Sequence, residues 1–228
     1  MKKKFLLICF LMTAVVAFGQ NNDWLTKVQG SYNEETGQKM IREIQGSSLS
    51  DRELYLGIIY HNLMDYDPDA YLEPALDNLK KASENSPLGL GYYGSVLTKQ
   101  GGMASDNGNI FKASSLVEEG FRAIDKAVSL APDDINLRIL RMENGLSVSK
   151  ASPFKRYDTV REDLAWMKPR LETLSPGLQV VYYYTAGEMA WLESDIDTAL
   201  TCFNIVTETM PESPQADWAR EYLNMLEE

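Results

Sequence analysis

The residues best able to do chemistry in this chain are Asp65, Asp67 and Asp69, the single histidine His61, and two cysteines, Cys9 and Cys202. Aspartates alternating over Asp65-Tyr66-Asp67-Pro68-Asp69 open a calcium loop of the EF-hand kind. The pattern then fails. Ala70 stands where the sharp turn needs glycine, Leu76 where a bidentate glutamate is needed, and Pro68 stiffens the segment. It reads as a capped turn entering a helix. Zinc needs three or four ligands, usually His and Cys, and His61 and Cys202 lie 141 positions apart. His61, near a helix end, reads as a surface residue. Cys202, beside Phe203 and without a basic neighbour to lower its pKa, reads as a small buried hydrophobe. No Ser-His-Asp or paired-carboxylate spacing stands out. Gly101-Gly102 lacks the Gly-Lys-Ser that a phosphate loop requires. The expectation is a protein with no catalytic residues, no cofactor and no metal.

The elements that would carry any site are marked by a repeated spacing. Ala199, Phe203, Val206 and Pro211 stand at offsets 0, 4, 7 and 12. The same offsets select Ala75, Leu79, Ala82 and Pro87, then Gly120, Ile124, Ala127 and Pro132. Val160, Leu164 and Met167 keep the first three positions. Residues at 0, 4 and 7 share one helix face, and the proline stops that helix and suits the first turn of the next. The sets recur at intervals of 45, 40 and 39 residues, which indicates stacked helical hairpins.

Residues 186–211, AGEMAWLESDIDTALTCFNIVTETMP, resemble one unit of the tetratricopeptide repeat (TPR) without a gap. Gly187 falls on the family's helix-A glycine, Ser194-Asp195-Ile196-Asp197 on its turn, and Ala199, Phe203 and Pro211 on its helix-B signature. Ala190 replaces the usual tyrosine and Val206 the usual alanine. Leu56-Gly57-Ile58-Ile59-Tyr60 matches the Leu-Gly-x-x-Tyr motif, with extra residues before Ala75. The resemblance implies an all-α helical-hairpin solenoid, a TPR-like superhelix. Its pairs would lie at about 51–85, 87–131, 134–173 and 177–210 within a domain spanning 34–228. A last helix over 214–226, carrying Ala216, Ala219, Leu223 and Leu226, would cap the open end, since each repeat is covered only by its neighbours. Insertions at 62–73, 100–109 and 149–155 all fall between the two helices of a pair, and so would gather on one rim.

By the same resemblance, first helices line a groove, and Tyr184, Glu188 and Trp191 take the groove positions of the last unit. Aromatic anchors dominate peptide interfaces. The expected role is therefore binding of a protein or peptide partner. Two alternatives stand beside it: a structural subunit of an outer-membrane assembly or transport complex, and an accessory binding protein for a small molecule. Tyr184 and Glu188 stand where chaperone-binding members grip a peptide carboxylate, and would not hold one.

Composition sets the surroundings. Lys2, Lys3 and Lys4, the apolar run from Phe5 to Val16, and Ala17-Phe18-Gly19 form an export signal over 1–19, with cleavage expected before Gln20. The run is too short to span a bilayer, so no membrane insertion is expected after cleavage. Ile8 is too large for a lipid-attachment site at Cys9. Residues 20–33 read as a tether or a short first helix. Loss of the three lysines takes the formal net charge from −11 to −14, which excludes nucleic acid as a partner because phosphate contacts need clustered Lys and Arg. A periplasmic, envelope-associated or secreted protein is expected.

Overall fold

The structure is a computed structural model that describes residues 23–30 and 32–227. The export signal, with Cys9, lies outside the described residues, as does the Leu226 side chain. Seven helix starts are fixed by a side chain one position ahead of the helix that accepts a backbone N–H of the first turn. Asn33 serves α2 (Glu34–Gln45), Asp67 serves α4 (Pro68–Ala82) and Ser86 serves α5 (Pro87–Asp106). Asn109, Asp134 and Asp195 serve α6 (Ile110–Leu130), α7 (Ile135–Ala151) and α10 (Ile196–Thr209). Ser213 serves α11 (Pro214–Glu227), accepting from Ala216 N at 3.1 Å, and the remaining helices are α1 (Asp23–Gln29), α3 (Arg52–Leu63), α8 (Tyr157–Met167) and α9 (Pro176–Leu192). A 3-10 segment, Lys168–Thr173, extends α8. The protein is all-α: among the described residues there is no strand.

Ser50-Asp51-Arg52-Glu53 reads as a capping box starting a helix at 51, and the structure corrects this. The Ser50 hydroxyl donates to the Asp51 carboxylate at 3.5 Å. The first helical bond runs from Tyr55 N to Asp51 O, so α3 begins at Arg52 without a side-chain cap. Within 20–33, Asp23–Gln29 is helical and Val28 is fully buried.

Packing separates two kinds of helix. The odd helices α3, α5, α7, α9 and α11 touch in chain order, and each even helix from α4 on packs against the odd helices before and after it. Odd helices are therefore covered on several sides, and α3, α5, α7 and α9 bury residues all round. Even helices bury a single stripe, as a surface helix does. That stripe holds Ala75 and Leu79 in α4, Gly120, Ile124 and Ala127 in α6, Val160 and Met167 in α8, and Ala199, Phe203 and Val206 in α10. Two odd-helix glycines make room for the large member of the facing stripe. A Cβ on Gly57 would lie 2.5 Å from Leu79, and one on Gly187 would lie 2.7 Å from Phe203.

The extra residues between paired helices are mostly helix, not loop. Gly101-Gly102 and the polar stretch after it read as the end of a helix, yet α5 continues to Asp106. The missing side chain at Gly101 lets α6 approach, since a Cβ there would meet Val117 at 2.8 Å. The α5–α6 pair, at 20 and 21 residues, thereby overreaches the α9–α10 pair at 17 and 14. No helix among the described residues is long and apolar enough to cross a membrane.

Candidate functional site

Beside the overreaching α5–α6 pair lies a cavity of about 470 Å³. One wall is the first turns of α6, where Ile110, Ala113, Ser114 and Val117 follow a helical spacing onto one face. The end of α5 adds Gly101, Gly102, Ser105 and Asp106. From α7 and the segment after it come Val148, Ala151, Ser152, Pro153 and Phe154. The inserted segments 100–109 and 149–155 thus both line the cavity, and Asp65, from the 62–73 segment, holds one of the lining side chains, Lys99.

The polar wall comes from three successive odd helices: His61 of α3, Ser95, Thr98 and Lys99 of α5, and Glu143, Asn144 and Ser147 of α7. Its hydrogen bonds have a definite direction. Asn62 Nδ2 donates to Val28 O at 3.0 Å and to Tyr32 Oη at 3.1 Å, leaving Asn62 Oδ1 as an acceptor 2.9 Å from His61 Nδ1. Nδ1 must therefore carry the imidazole proton. Nε2 then accepts from the Ser95 hydroxyl at 2.9 Å. Thr98 gives its one hydroxyl proton to Ser95 O at 2.8 Å, so it can only accept from Asn144 Nδ2, at 2.7 Å. Asn144 Nδ2 also reaches Ser95 Oγ at 3.3 Å. Burial, reinforced by the charge of Lys99, pushes the His61 pKa well below its ordinary value. The ring is neutral at pH 7, as its hydrogen bonds require.

His61 was expected at the surface. It is buried, with an edge-on contact to Tyr92 at 5.2 Å, because α5 closes over the end of α3. Lys99 is buried beside it and donates to His61 O at 3.0 Å and to Asp65 Oδ1 at 2.9 Å.

Glu143 is handled differently. Only 6% of it is exposed, its Oε1 has no hydrogen-bond partner, and no cationic side chain among the described residues pairs with it. Burial, together with repulsion from Glu188, pushes its pKa up to about 8. Asn144 Oδ1 is also buried without a partner.

Tyr184, Glu188 and Trp191 are brought together at the other end of the row, beneath α11, and none of them lines this cavity. Tyr184 is 4% exposed, with its ring against Phe203 and Trp218. Glu188, 1% exposed, accepts from Lys150 Nζ and, at 2.8 Å, from Tyr222 Oη. Trp191 is half-buried with its ring edge-on to Tyr222. Burial and the nearby Glu188 charge push the Tyr184 and Tyr222 hydroxyls well above the ordinary tyrosine range. Asp67 caps α4 through Ala70 N at 3.0 Å. Cys202 is buried, which raises its thiol pKa.

Sequence reasoning missed Lys99, Glu143 and Asn144. A spacing of 34 could have found Lys99, but not Glu143 or Asn144, the latter linked to α5 across 46 and 49 positions. Hydrogen bonds join Val28 to Asn62, Tyr32 to Tyr66, His61 to Ser95, Asp65 to Lys99, and Glu188 to Tyr222, and each pair is 34 positions apart. No family model, curated protein or solved structure matches the chain.

Proposed function

We propose that this chain is an exported helical-hairpin repeat protein of the tetratricopeptide type, and that it works by binding, not by catalysis. Five of its polar cross-links span 34 residues, the length of that unit, which supports the repeat, and the links across the longer α5–α7 interval span 46 and 49. The order of helix contacts supports stacking into a solenoid capped by α11. The leader supports export to the periplasm or envelope.

The observation that carries the binding reading is the cavity lined by three successive odd helices and by two inserted segments. A group held there meets an apolar wall on α6 and an ordered polar wall on α3, α5 and α7. The partner is a protein or peptide that seats one side chain in the cavity. Ile110, at the cavity, and Phe111 beside it are 59% and 94% exposed, offering apolar contact for the flanking segment. Cavity size favours a second reading: about 470 Å³ lies within the roughly 300–1,000 Å³ of small-molecule pockets, which suits an accessory binding protein for a small molecule. Of Tyr184, Glu188 and Trp191, the half-buried Trp191 would serve as a further contact for a longer partner, with the buried Tyr184 and Glu188 supporting it from beneath α11.

A photo-crosslinker at Ser147, in protein expressed with its leader, separates the two readings. A protein adduct supports the peptide reading, and a small adduct the second. Ser147→Trp fills the cavity and should abolish either capture. Capture that survives in Ser147→Trp would place the site elsewhere, with the surface around Trp191 next.

A further inference from the structure

The cavity has a chemical preference that follows from which of its polar groups are already used. The Lys99 ammonium is held by Asp65 and by the His61 carbonyl. Both His61 nitrogens are engaged. The Thr98 and Ser95 hydroxyls are committed within the network. Among the lining side-chain atoms withdrawn from water, the two without a partner are acceptors on neighbouring α7 residues, Glu143 Oε1 and Asn144 Oδ1. The Asn144 amide cannot turn over to offer a donor instead, because Thr98 has no second proton to give it. An ammonium group has donors and no acceptor.

Resting on the binding reading above, we infer that the cavity takes a ligand ending in a primary ammonium group, seated at Glu143 and Asn144, with a short unbranched apolar chain along Val117, Leu140 and Val148. A free alkylamine and a lysine side chain share this chemistry. The net charge of −11 favours approach of such a cation.

The empty site should hold Glu143 protonated at pH 7, since its pKa is about 8. A cation beside the carboxyl favours its charged form, so binding should release a proton. Glu143 interacts with Tyr92 of α5 and Glu188 of α9 and shares the cavity with the titratable groups of His61, Lys99 and Asp106. His61 is already neutral, and burial holds Tyr92 protonated.

The test is isothermal titration calorimetry at pH 7 in two buffers of different ionisation enthalpy. The probes are n-hexylamine, 1-hexanol, hexanoate and Nα-acetyl-lysine amide, titrated into the full mature chain. Hexylamine should bind at least about tenfold tighter than hexanol, about 1.4 kcal/mol, and of the four probes only the two primary ammonium compounds should release most of one proton on binding. Glu143→Gln should bring amine and alcohol to comparable affinity and abolish the release. Tighter acetyl-lysine amide than hexylamine marks a protein side chain as the source, and the reverse order marks a free amine. Equal binding of amine and alcohol to the native chain, or preference for hexanoate, overturns the inference while leaving the cavity a binding site. No binding by any probe overturns both readings.

Discussion

Asp163 of α8 and Glu143 of α7 are both carboxylates withdrawn from water, 0% and 6% exposed, and the molecule treats them in opposite ways. Asp163 accepts from Arg138 at 3.0 Å and from Arg141 at 2.8 and 2.6 Å, the second a two-pronged guanidinium contact. Glu162 receives both arginines as well, and its pKa falls because of them. The Arg138 guanidinium also lies over the Trp166 ring at 5.1 Å. Glu143 receives none of this. The contrast lies within one helix, because Glu143 follows Arg141 by two positions, about 200° round α7, and so points the other way. One face of α7 is sealed by a satisfied ion cluster that fixes α8. The other carries unsatisfied acceptors beside a cavity. A buried charge with every partner in place is structural; one with none is an opening for a ligand or a proton.

The largest expected effect tests the sealed side. Asp163→Asn leaves two guanidinium groups, each with a side chain only 10% exposed, without their central anion. Breaking such a cluster should cost about 3–5 kcal/mol in urea unfolding. A loss below about 1 kcal/mol would put it in the class of surface pairs and erase the contrast.

A second effect sharpens the open side through pH. The Glu143 pKa is about 8 in the folded chain against an ordinary 4.5. Between those values the folded state holds a proton that the unfolded state has lost. Folding stability should therefore fall as pH rises through this window, by at most about 1.4 kcal/mol per pH unit. Glu143→Gln removes that dependence. The variant should be close to the parent near pH 5 and more stable than it near pH 8, by urea unfolding at both. Parallel stability profiles for the two proteins would mean that Glu143 is charged and satisfied in the fold.

The smallest effect sets the baseline. Arg122 and Glu118 form an exposed pair at 3.9 Å one turn apart on α6. Arg122→Ala should change stability by no more than about 0.5 kcal/mol. A loss approaching that of Asp163→Asn would show that burial is not what separates the two kinds of pair.

The even helices were legible in the sequence, because a helix covered on one side must write its apolar stripe at a helical spacing. Ala199, Phe203 and Val206 announce their burial by their types, and so do Gly120, Ile124 and Ala127. Capping residues such as Asp67, Ser86 and Asp195 act on amides two or three positions away, and they too could be read from the chain. The odd helices were less legible. Covered by neighbours on several sides, they carry polar residues inside that resemble surface residues when read singly.

The sequence by itself determined that the chain is helical, where most helices begin, and which face of each even helix is apolar, since all of these depend on residues within a few turns. Tertiary structure decided that His61 is a neutral buried acceptor, that α5 runs through Gly101-Gly102, and that Glu143 lacks a partner while Asp163 has two. Each of these depends on which helix lies across the gap. The groups that meet there are far apart in the chain, 22 and 25 positions for Asp163 and its arginines and 34 for His61 and Ser95, and only the packing of the helices sets which of them is left without water or a counter-charge.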